Sequence, residues 1–282
     1  MQEEGRKEGK KGLKMKVEQL SKEKDGKLSF KVKGATPGFI NAIRRICIEE
    51  VPTMAIEEVT FLKNTSGMYD EMIAHRLGLV PLTTDLKSYN LPEKCSCKGE
   101  GCPKCQVKFT LSKKDPGYVY ASDLKSSDPE IKPVYPKMII AKLLKGQVLE
   151  LEATAVLGLG RVHAKWSPGL IYHRAAPNIE ILNPKAEGAQ AAAEACPKKI
   201  LRYEKDSLSV DKDKVEECTL CLACSEAAPK AVRVSPRENE FIFTIESWGQ
   251  LSCREIIREA SKVFDSKLDE FISKVEELPK RD

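Results

Sequence analysis

Cysteine spacing constrains this chain more than any other feature. Eight of its ten cysteines fall into two groups, Cys95, Cys97, Cys102 and Cys105, then Cys196, Cys218, Cys221 and Cys224, while Cys47 and Cys253 stand alone. In a reducing compartment, thiols grouped this way bind metal rather than form disulfides. Whatever fold the chain takes must therefore close two loops around thiolates.

The second group is the more specific. Cys218-x2-Cys221-x2-Cys224 lets one tight loop wrap three corners of a cubane cluster. In bacterial ferredoxins such a run continues x3-Cys-Pro, and that fourth cysteine ligates the other of two clusters. Here the fourth position is Ala228, followed by Pro229, and the reciprocal pair occurs as Cys196-Pro197. A second triplet ahead of Cys196 would fall at Ala186, Ala189 and Ala192. The segment thus reads as a two-cluster unit that keeps the ligands of one [4Fe–4S] cluster, Cys196, Cys218, Cys221 and Cys224. A zinc site on the same four thiolates and unmetallated thiols are the alternatives. Loss of the second cluster counts against an electron-transfer relay.

Cys95-x-Cys97-x4-Cys102-x2-Cys105, with turns supplied by Gly99, Gly101 and Pro103, is tight enough for a four-thiolate zinc knuckle. The bland alternative is a cysteine-rich exposed loop. Cys47 lies on an apolar helix face and reads as a core residue. Cys253 lies at the start of a helix, where a lowered pKa is an option beside an inert thiol.

Length sets the scale: 282 residues suit about two or three domains. With 41% hydrophobic and 32% charged residues the chain can bury a sizeable core. A net charge of +5 is too small to indicate nucleic-acid binding on charge alone, which leaves a zinc-knuckle nucleic-acid binder poorly supported. No apolar run is long enough to cross a membrane, and the N-terminus MQEEGRKEGKKGLKMK has no apolar signal region. A cytoplasmic protein is expected.

Residues 1–14 are too polar to order themselves and read as a tail. Leu28, Phe30 and Val32 alternate as a strand. Thr36 and Pro37 open a helix that Pro52 stops, with Phe39, Ile40, Ile43, Ile46 and Cys47 at helical spacing. A strand is expected around Val59 and Phe61, and a short helix over Tyr69 to Leu77, ended by Gly78. Residues 85–140 read as loop-rich, and His163 and His173 as flanking a loop around Trp166. Alternation from Leu149 to Leu157 predicts a strand, 184–195 a linker or weak helix, and Phe241, Phe243 and Ile245 a strand face. Ser252 and Glu255 form a capping box that opens a long final helix. Its broad stripe, including Ile256, Ala260, Phe264, Leu268, Phe271 and Val275, suits either an internal core helix or one that also meets a partner. No nucleophile elbow, phosphate-binding loop or metal-binding histidine pair is present, so no catalytic residue is expected.

Three segments together resemble a known family. Asn41-Ala-Ile-Arg-Arg-Ile-Cys-Ile-Glu-Glu-Val-Pro-Thr-Met-Ala-Ile56 resembles the signature helix of the alpha-type assembly subunits of cellular RNA polymerases. Asp70-Glu-Met-Ile-Ala-His-Arg-Leu-Gly-Leu-Val-Pro-Leu82 is similar to a second hallmark and His163-Ala-Lys-Trp-Ser-Pro168 to a third. The ferredoxin-like insertion points to the archaeal members, and the likeness covers about residues 15 to 278.

The resemblance implies an α+β fold with a discontinuous alpha-type dimerisation domain, 15–60 plus 237–282. An inserted β-rich domain would span 61–184 and a small ferredoxin-like iron–sulfur domain 185–236. It implies a non-catalytic subunit of DNA-directed RNA polymerase, a nucleotidyltransferase complex active in transcription. Such a subunit pairs with small subunit L, and the pair is joined by subunits N and P and the large beta-like subunit; DNA is met only through the complex, and no membrane is involved. Phe39, Ile40, Ile43, Arg44, Arg45 and Ile46 would then belong to the dimerisation surface, with Phe264, Leu268 and Phe271 of the last helix. Asp70, Glu71, His75 and Arg76 would face or support neighbouring subunits. A ferredoxin-like electron-transfer protein is the alternative function.

Overall fold

The computed structural model describes residues 15–278, so the expected tail over 1–14 lies outside the described residues. The architecture is mixed α+β. In chain order it runs β1 (Lys16–Gln19), β2 (Lys27–Lys33), α1 (Pro37–Glu49), β3 (Thr53–Asn64), α2 (Asp70–Gly78), β4 (Gln106–Lys113) and β5 (Gly117–Tyr120). Then follow β6 (Lys125–Ser126), β7 (Ile139–Leu143), β8 (Leu149–Gly158), β9 (Gly169–Ile181), α3 (Ala189–Glu194), β10 (Leu201–Glu204), β11 (Ser207–Val210), α4 (Ala223–Ala227), β12 (Val232–Ser247) and α5 (Cys253–Glu276). These form two compact units. One comprises the described residues up to Lys22 with Ser29–Asn41 and Tyr172–Thr244; the other comprises Glu23–Leu28, Ala42–Ile171 and the described residues from Ile245.

The first unit is framed by a sheet of order β1-β2-β12-β9. Phe30 stacks on Phe243 with ring centroids 5.3 Å apart, and the Ser29 and Thr244 hydroxyls meet at 3.1 Å. His173 is on β9 rather than beside a loop, with its ring edge-on to Phe241 and stacked on Phe243. Within 184–195 the weak-helix alternative holds for α3, which buries Ala189 and Ala192. The β10–β11 hairpin turns at Lys205 and Asp206, both at positive φ.

The second unit is built on the antiparallel sheet β3-β8-β4-β6. Central β8 turns Leu149, Leu151, Ala153, Ala155 and Leu157 inward, and its two alanines face larger neighbours: Ala155 sits between Ile56 and Val107, and Ala153 between Val59 and Phe109. Small residues on the middle strand leave room for large ones on its neighbours, which is how facing side chains reach crystal-like density. Ile73 and Leu77 of α2 are fully buried in the same apolar core. The region expected to be loop-rich, 85–140, contains β4, β5 and β6 and the start of β7. In β4, Val107, Phe109 and Leu111 are buried and alternate with exposed neighbours, a period of two placed directly after the cysteine-rich loop.

Helix ends follow local chemistry. Thr36 Oγ1 accepts from the Phe39 amide at 3.3 Å at the start of α1. At α5, Ser252 Oγ accepts from the Glu255 amide at 3.3 Å while a Glu255 carboxylate oxygen accepts from the Ser252 amide at 2.9 Å. Cys253 does not have a lowered pKa: burial pushes its thiol up to about 11, and Sγ lies 3.1 Å from the Gly26 carbonyl. Cys47 is fully buried, and burial likewise holds it at about 12.

The hallmark 163–168 is a packing device. The Trp166 indole donates to the Val156 carbonyl at 3.3 Å, the Trp166 carbonyl accepts from Thr53 Oγ1 at 2.6 Å, and Lys165 Nζ lies 4.4 Å above the ring. Only glycine fits beneath: a Cβ at Gly158 would lie 2.3 Å from the indole. Gly158→Ala is therefore expected to displace Trp166 and to destabilise the second unit by about 1–3 kcal/mol. Denaturant unfolding followed by tryptophan emission checks this, with a red-shifted native spectrum as the accompanying sign.

Candidate metal centres

The first group of cysteines lies in the loop between α2 and β4. Left-handed backbone at Lys98, Gly99 and Gly101 folds the segment back on itself, and amide-to-carbonyl turns run from Lys98 to Cys95 at 2.9 Å and from Cys105 to Cys102 at 2.9 Å. The Sγ atoms of Cys95 and Cys102 are 3.5 Å apart, those of Cys97 and Cys105 3.5 Å, and those of Cys105 and Cys102 3.8 Å. Among the described residues this is the one group of three or more potential ligand atoms lying within 4.8 Å of one another. Thiolates about 2.3 Å from a tetrahedral ion stand about 3.75 Å apart, so the loop could hold a metal ion with little rearrangement. Its thiols differ in acidity. Burial acts to raise Cys97, but hydrogen bonds from Cys105 and the Gly101 amide outweigh it and bring Cys97 down to about 6. Burial pushes Cys105 up to about 12.

The second group is arranged differently. Cys196, Cys218, Cys221 and Cys224 line one small pocket together with Pro197 and Ile200. Cys218 and Cys224 are buried, Cys196 is half-buried and Cys221 exposed. The Ile200 amide approaches Cys196 Sγ at 3.5 Å. Burial raises Cys224, and charge on Cys196 and Cys218 raises it further, so the remote cysteine stands beside the triplet. Unlike the first loop, these thiols are not drawn within single-ion spacing. Leu220 and Leu222, between the triplet's cysteines, have φ of 58° and 63°. Bulky residues resist this left-handed region and hold it only where the surroundings dictate it. Four converging thiols with wider spacing, on a loop wound against leucine's preference, fit a polynuclear cluster better than a lone ion. Ala189, Ala192 and Ala228 are buried in the same apolar cluster as Cys218 and Cys224, and Ala186 packs against it, so the sequence positions of a second ligand set carry methyl groups.

The residues expected at a partner surface divide. Ile40 and Ile46 are buried within the chain, Phe39, Ile43 and Arg44 are half-buried, and Arg45 is exposed and paired with Glu49 at 3.1 Å. On α5 only the first two turns are covered, through Cys253, Ile256 and Ala260. Phe264 is half-buried, whereas Leu268 is 45% and Phe271 65% exposed. Ile272 and Leu278, exposed on the same stretch, widen the stripe beyond the residues expected there, and their i, i+3, i+4 spacing is the signal that marks them. Asp70 accepts from the Asn64 amide group at 2.7 Å, Arg76 donates to the Ile140 carbonyl at 3.0 Å, and Glu71 and His75 are exposed. Arg174 and Lys31, which contact Glu216 and, for Arg174, the Cys218 carbonyl, carry no sequence signal, because these contacts depend on strand pairing.

Residues 55–172 match a family model described as the RNA polymerase Rpb3/RpoA insert domain. The chain is 41% identical over 271 residues to DNA-directed RNA polymerase subunit Rpo3 of Methanosphaera stadtmanae, covering 92% of this chain and 98% of the relative. It is 38% identical over 265 residues to the subunit of the same name from Archaeoglobus fulgidus, with 92% and 98% covered. The corresponding subunit of Pyrococcus furiosus is 35% identical over 260 residues, with 92% and 97% covered. No described helix is long and apolar enough to cross a membrane.

Loading of the 95–105 loop is expected to depend on pH. A bound metal requires thiolates, and Cys105 starts protonated near neutrality, so binding must release protons and tighten as pH rises. Titration with Co2+ between pH 6 and 8, read by thiolate charge-transfer absorbance, should give higher affinity at pH 8. Cys105→Ser should weaken it throughout.

Proposed function

Because the chain belongs to the archaeal Rpo3 branch of the Rpb3/RpoA family of DNA-directed RNA polymerase subunits, we propose that it is the non-catalytic assembly subunit of that complex. In this reading it pairs with small subunit L, and the pair forms the platform on which subunits N and P and the large beta-like subunit gather. The dimerisation domain is discontinuous, from 15–60 and 237–282, with a β-rich insert over 61–184 and a ferredoxin-like domain over 185–236. DNA is contacted only through the complex.

The exposed apolar stripe of α5 carries the assembly reading. Over its second half, Leu268, Phe271, Ile272 and Val275 remain 45–65% exposed. A soluble chain does not keep large apolar side chains in a row along one helix without something to cover them. Ser252 and Glu255 fix the start of the helix, and its long unbroken run presents the stripe as a rigid bar. Ile43, half-buried on the part of α1 that belongs to the same unit, is a further member of the surface, with Arg44 and Arg45, and Phe39 is assigned a partner contact of its own.

We assign one [4Fe–4S] cluster to Cys196, Cys218, Cys221 and Cys224, and one Zn2+ to Cys95, Cys97, Cys102 and Cys105. The cluster, when bound, supplies iron–thiolate bonds that cross-link a segment with little apolar core of its own. Its oxidative loss should loosen 185–236 and weaken higher-order assembly while sparing the pairing with L.

The test is anoxic affinity purification of the tagged chain from its own cells. The parent should recover L and the large subunits in stoichiometric amounts. Leu268→Glu combined with Phe271→Glu should lose both by tenfold or more, about 1.4 kcal/mol or more of pairing energy. Undiminished recovery of L by the double variant would reject the α5 surface.

A further inference from the structure

The loop that carries Cys218, Cys221 and Cys224 is gripped from outside by two cations on sheet strands. Arg174, half-buried on β9, donates from Nη1 to the Cys218 carbonyl at 2.7 Å and from Nη2 to the Glu216 carbonyl. These carbonyls lie at the end of the 3-10 turn Lys212–Glu217, where helical hydrogen bonding stops and acceptors are left over. The planar fork of a guanidinium holds two acceptors at once in fixed geometry, which an ammonium cannot do. Lys31 on β2 grips the same place from the side chain. Only 4% of it is exposed, and its Nζ lies 2.7 Å from a Glu216 carboxylate oxygen and 3.1 Å from one of Glu240. Glu216 is therefore fastened at its carbonyl by Arg174 and at its carboxylate by Lys31, two residues ahead of Cys218.

Downstream, Cys224 is buried in α4. Between these two fixed points lie Leu220 and Leu222 in left-handed backbone. If the Cys218 end were loose, both leucines could relax to ordinary φ, and the thiols between would swing out of the pocket. The fastening at Glu216 and Cys218 keeps the loop wound.

We propose that Arg174 and Lys31 are positioning residues for the iron–sulfur site: they hold Cys218, and through it the wound loop, in the ligand-ready form. The proposal rests on the assignment of Cys196, Cys218, Cys221 and Cys224 as cluster ligands and goes beyond it. Both cations act through backbone and carboxylate, Arg174 on the Glu216 and Cys218 carbonyls and Lys31 on the Glu216 and Glu240 carboxylates. Removing an outer partner of this kind lowers retention of a metal group by about 10–100-fold.

The experiment uses the full chain, reconstituted anoxically with ferrous iron and sulfide. Parent, Arg174→Gln, Arg174→Lys and Glu216→Gln are compared for iron and acid-labile sulfide per chain, and for the decay of visible absorbance under a ferrous chelator. Decay about tenfold faster is expected for R174Q, with R174K between it and the parent, because lysine keeps the charge but not the fork. E216Q, which leaves Lys31 paired with Glu240, should decay faster than the parent. The dithionite-reduced cluster remaining in R174Q should give a broadened paramagnetic spectrum, a change that loss of stability alone would not produce. Amide exchange across β2, β12 and β9, the sheet of the first unit, reports whether each variant is folded; if R174Q is not, R174K and E216Q decide. A parent that takes up no iron and sulfide overturns the ligand assignment itself. A parent that loads, beside folded variants that keep the cluster as long, overturns the positioning role alone.

Discussion

The order of the cysteine-rich part of the first unit depends on directed ties as well as on packing. Its buried apolar cluster is split between small residues, Ala189, Ala192, Ala228, Ala231, Cys218 and Cys224, and larger ones, Ile200, Leu201, Leu208, Val232 and Val234, with no phenylalanine among them. Burying an alanine or cysteine removes little apolar surface from water, so the small half of this cluster contributes less than leucines and phenylalanines would. What holds the backbone is a set of directed contacts: Arg174 to two carbonyls, Lys31 to two carboxylates, and Ser225 Oγ accepting from the Val234 amide at 3.0 Å. The second unit needs no such help. Phe109, Met54, Ile56, Ile73, Leu77 and Leu149 fill its core, and the same chain therefore contains one region held by packing and another that calls for cross-links.

The two thiol groups show how spacing selects chemistry. Within one eleven-residue loop, glycines at left-handed φ let four sulfurs approach to 3.5–3.8 Å, the edge of a tetrahedron around a single ion. In the second group one cysteine comes from before the β10–β11 hairpin and three from after it, and their sulfurs are not gathered within 4.8 Å of one another. The left-handed positions there fall on Leu220 and Leu222 instead of glycines. A flexible glycine loop can collapse onto whatever ion arrives, whereas a loop wound through leucines has one shape imposed by its neighbours. That difference makes external braces dispensable in the first loop and consequential in the second.

Much of the scaffold was legible in the sequence. Capping chemistry at Thr36 and Ser252, the stop at Pro52, and the period-two run of β8 each arise from interactions within a few residues, and each appears where expected. The failures have a common cause. The alternation of β4 lies immediately beside the cysteine loop, whose glycine, proline and cysteine content reads as irregular structure. The place of His173 on β9 follows from pairing with a distant strand. At Cys253 the helix start left a lowered pKa open beside an inert thiol, and burial, which depends on tertiary packing, decides for the inert thiol. For the sites, the grouping of the cysteines could be read because most of their spacing is local; the contacts of Arg174 and Lys31 could not, since their partners lie 42 to 44 and 185 residues away along the chain.

The three hallmark segments contribute to the fold and to the surface in different proportions. In the third, Trp166 is locked over Gly158 and tied by its carbonyl to Thr53, so the segment anchors the edge of the insert sheet. In the second, Ile73, Leu77, Val80 and Leu82 are core while Glu71 and His75 stay exposed; one helix face builds the unit and the other is turned outward. In the first, Ile40, Ile46, Cys47 and Val51 are inside, leaving Phe39 and Ile43 half-covered. A helix that must satisfy its own core on one face can offer only the remaining face outward. The end of α5 is under no such restriction: beyond Phe264 its described apolar residues are all exposed and add nothing to the core of their own unit. An apolar row released from core duty is the cheapest surface on which to build a permanent interface, because no internal contact has to be broken to make it. A partner laid along it would remove that apolar surface from water at no cost to the core.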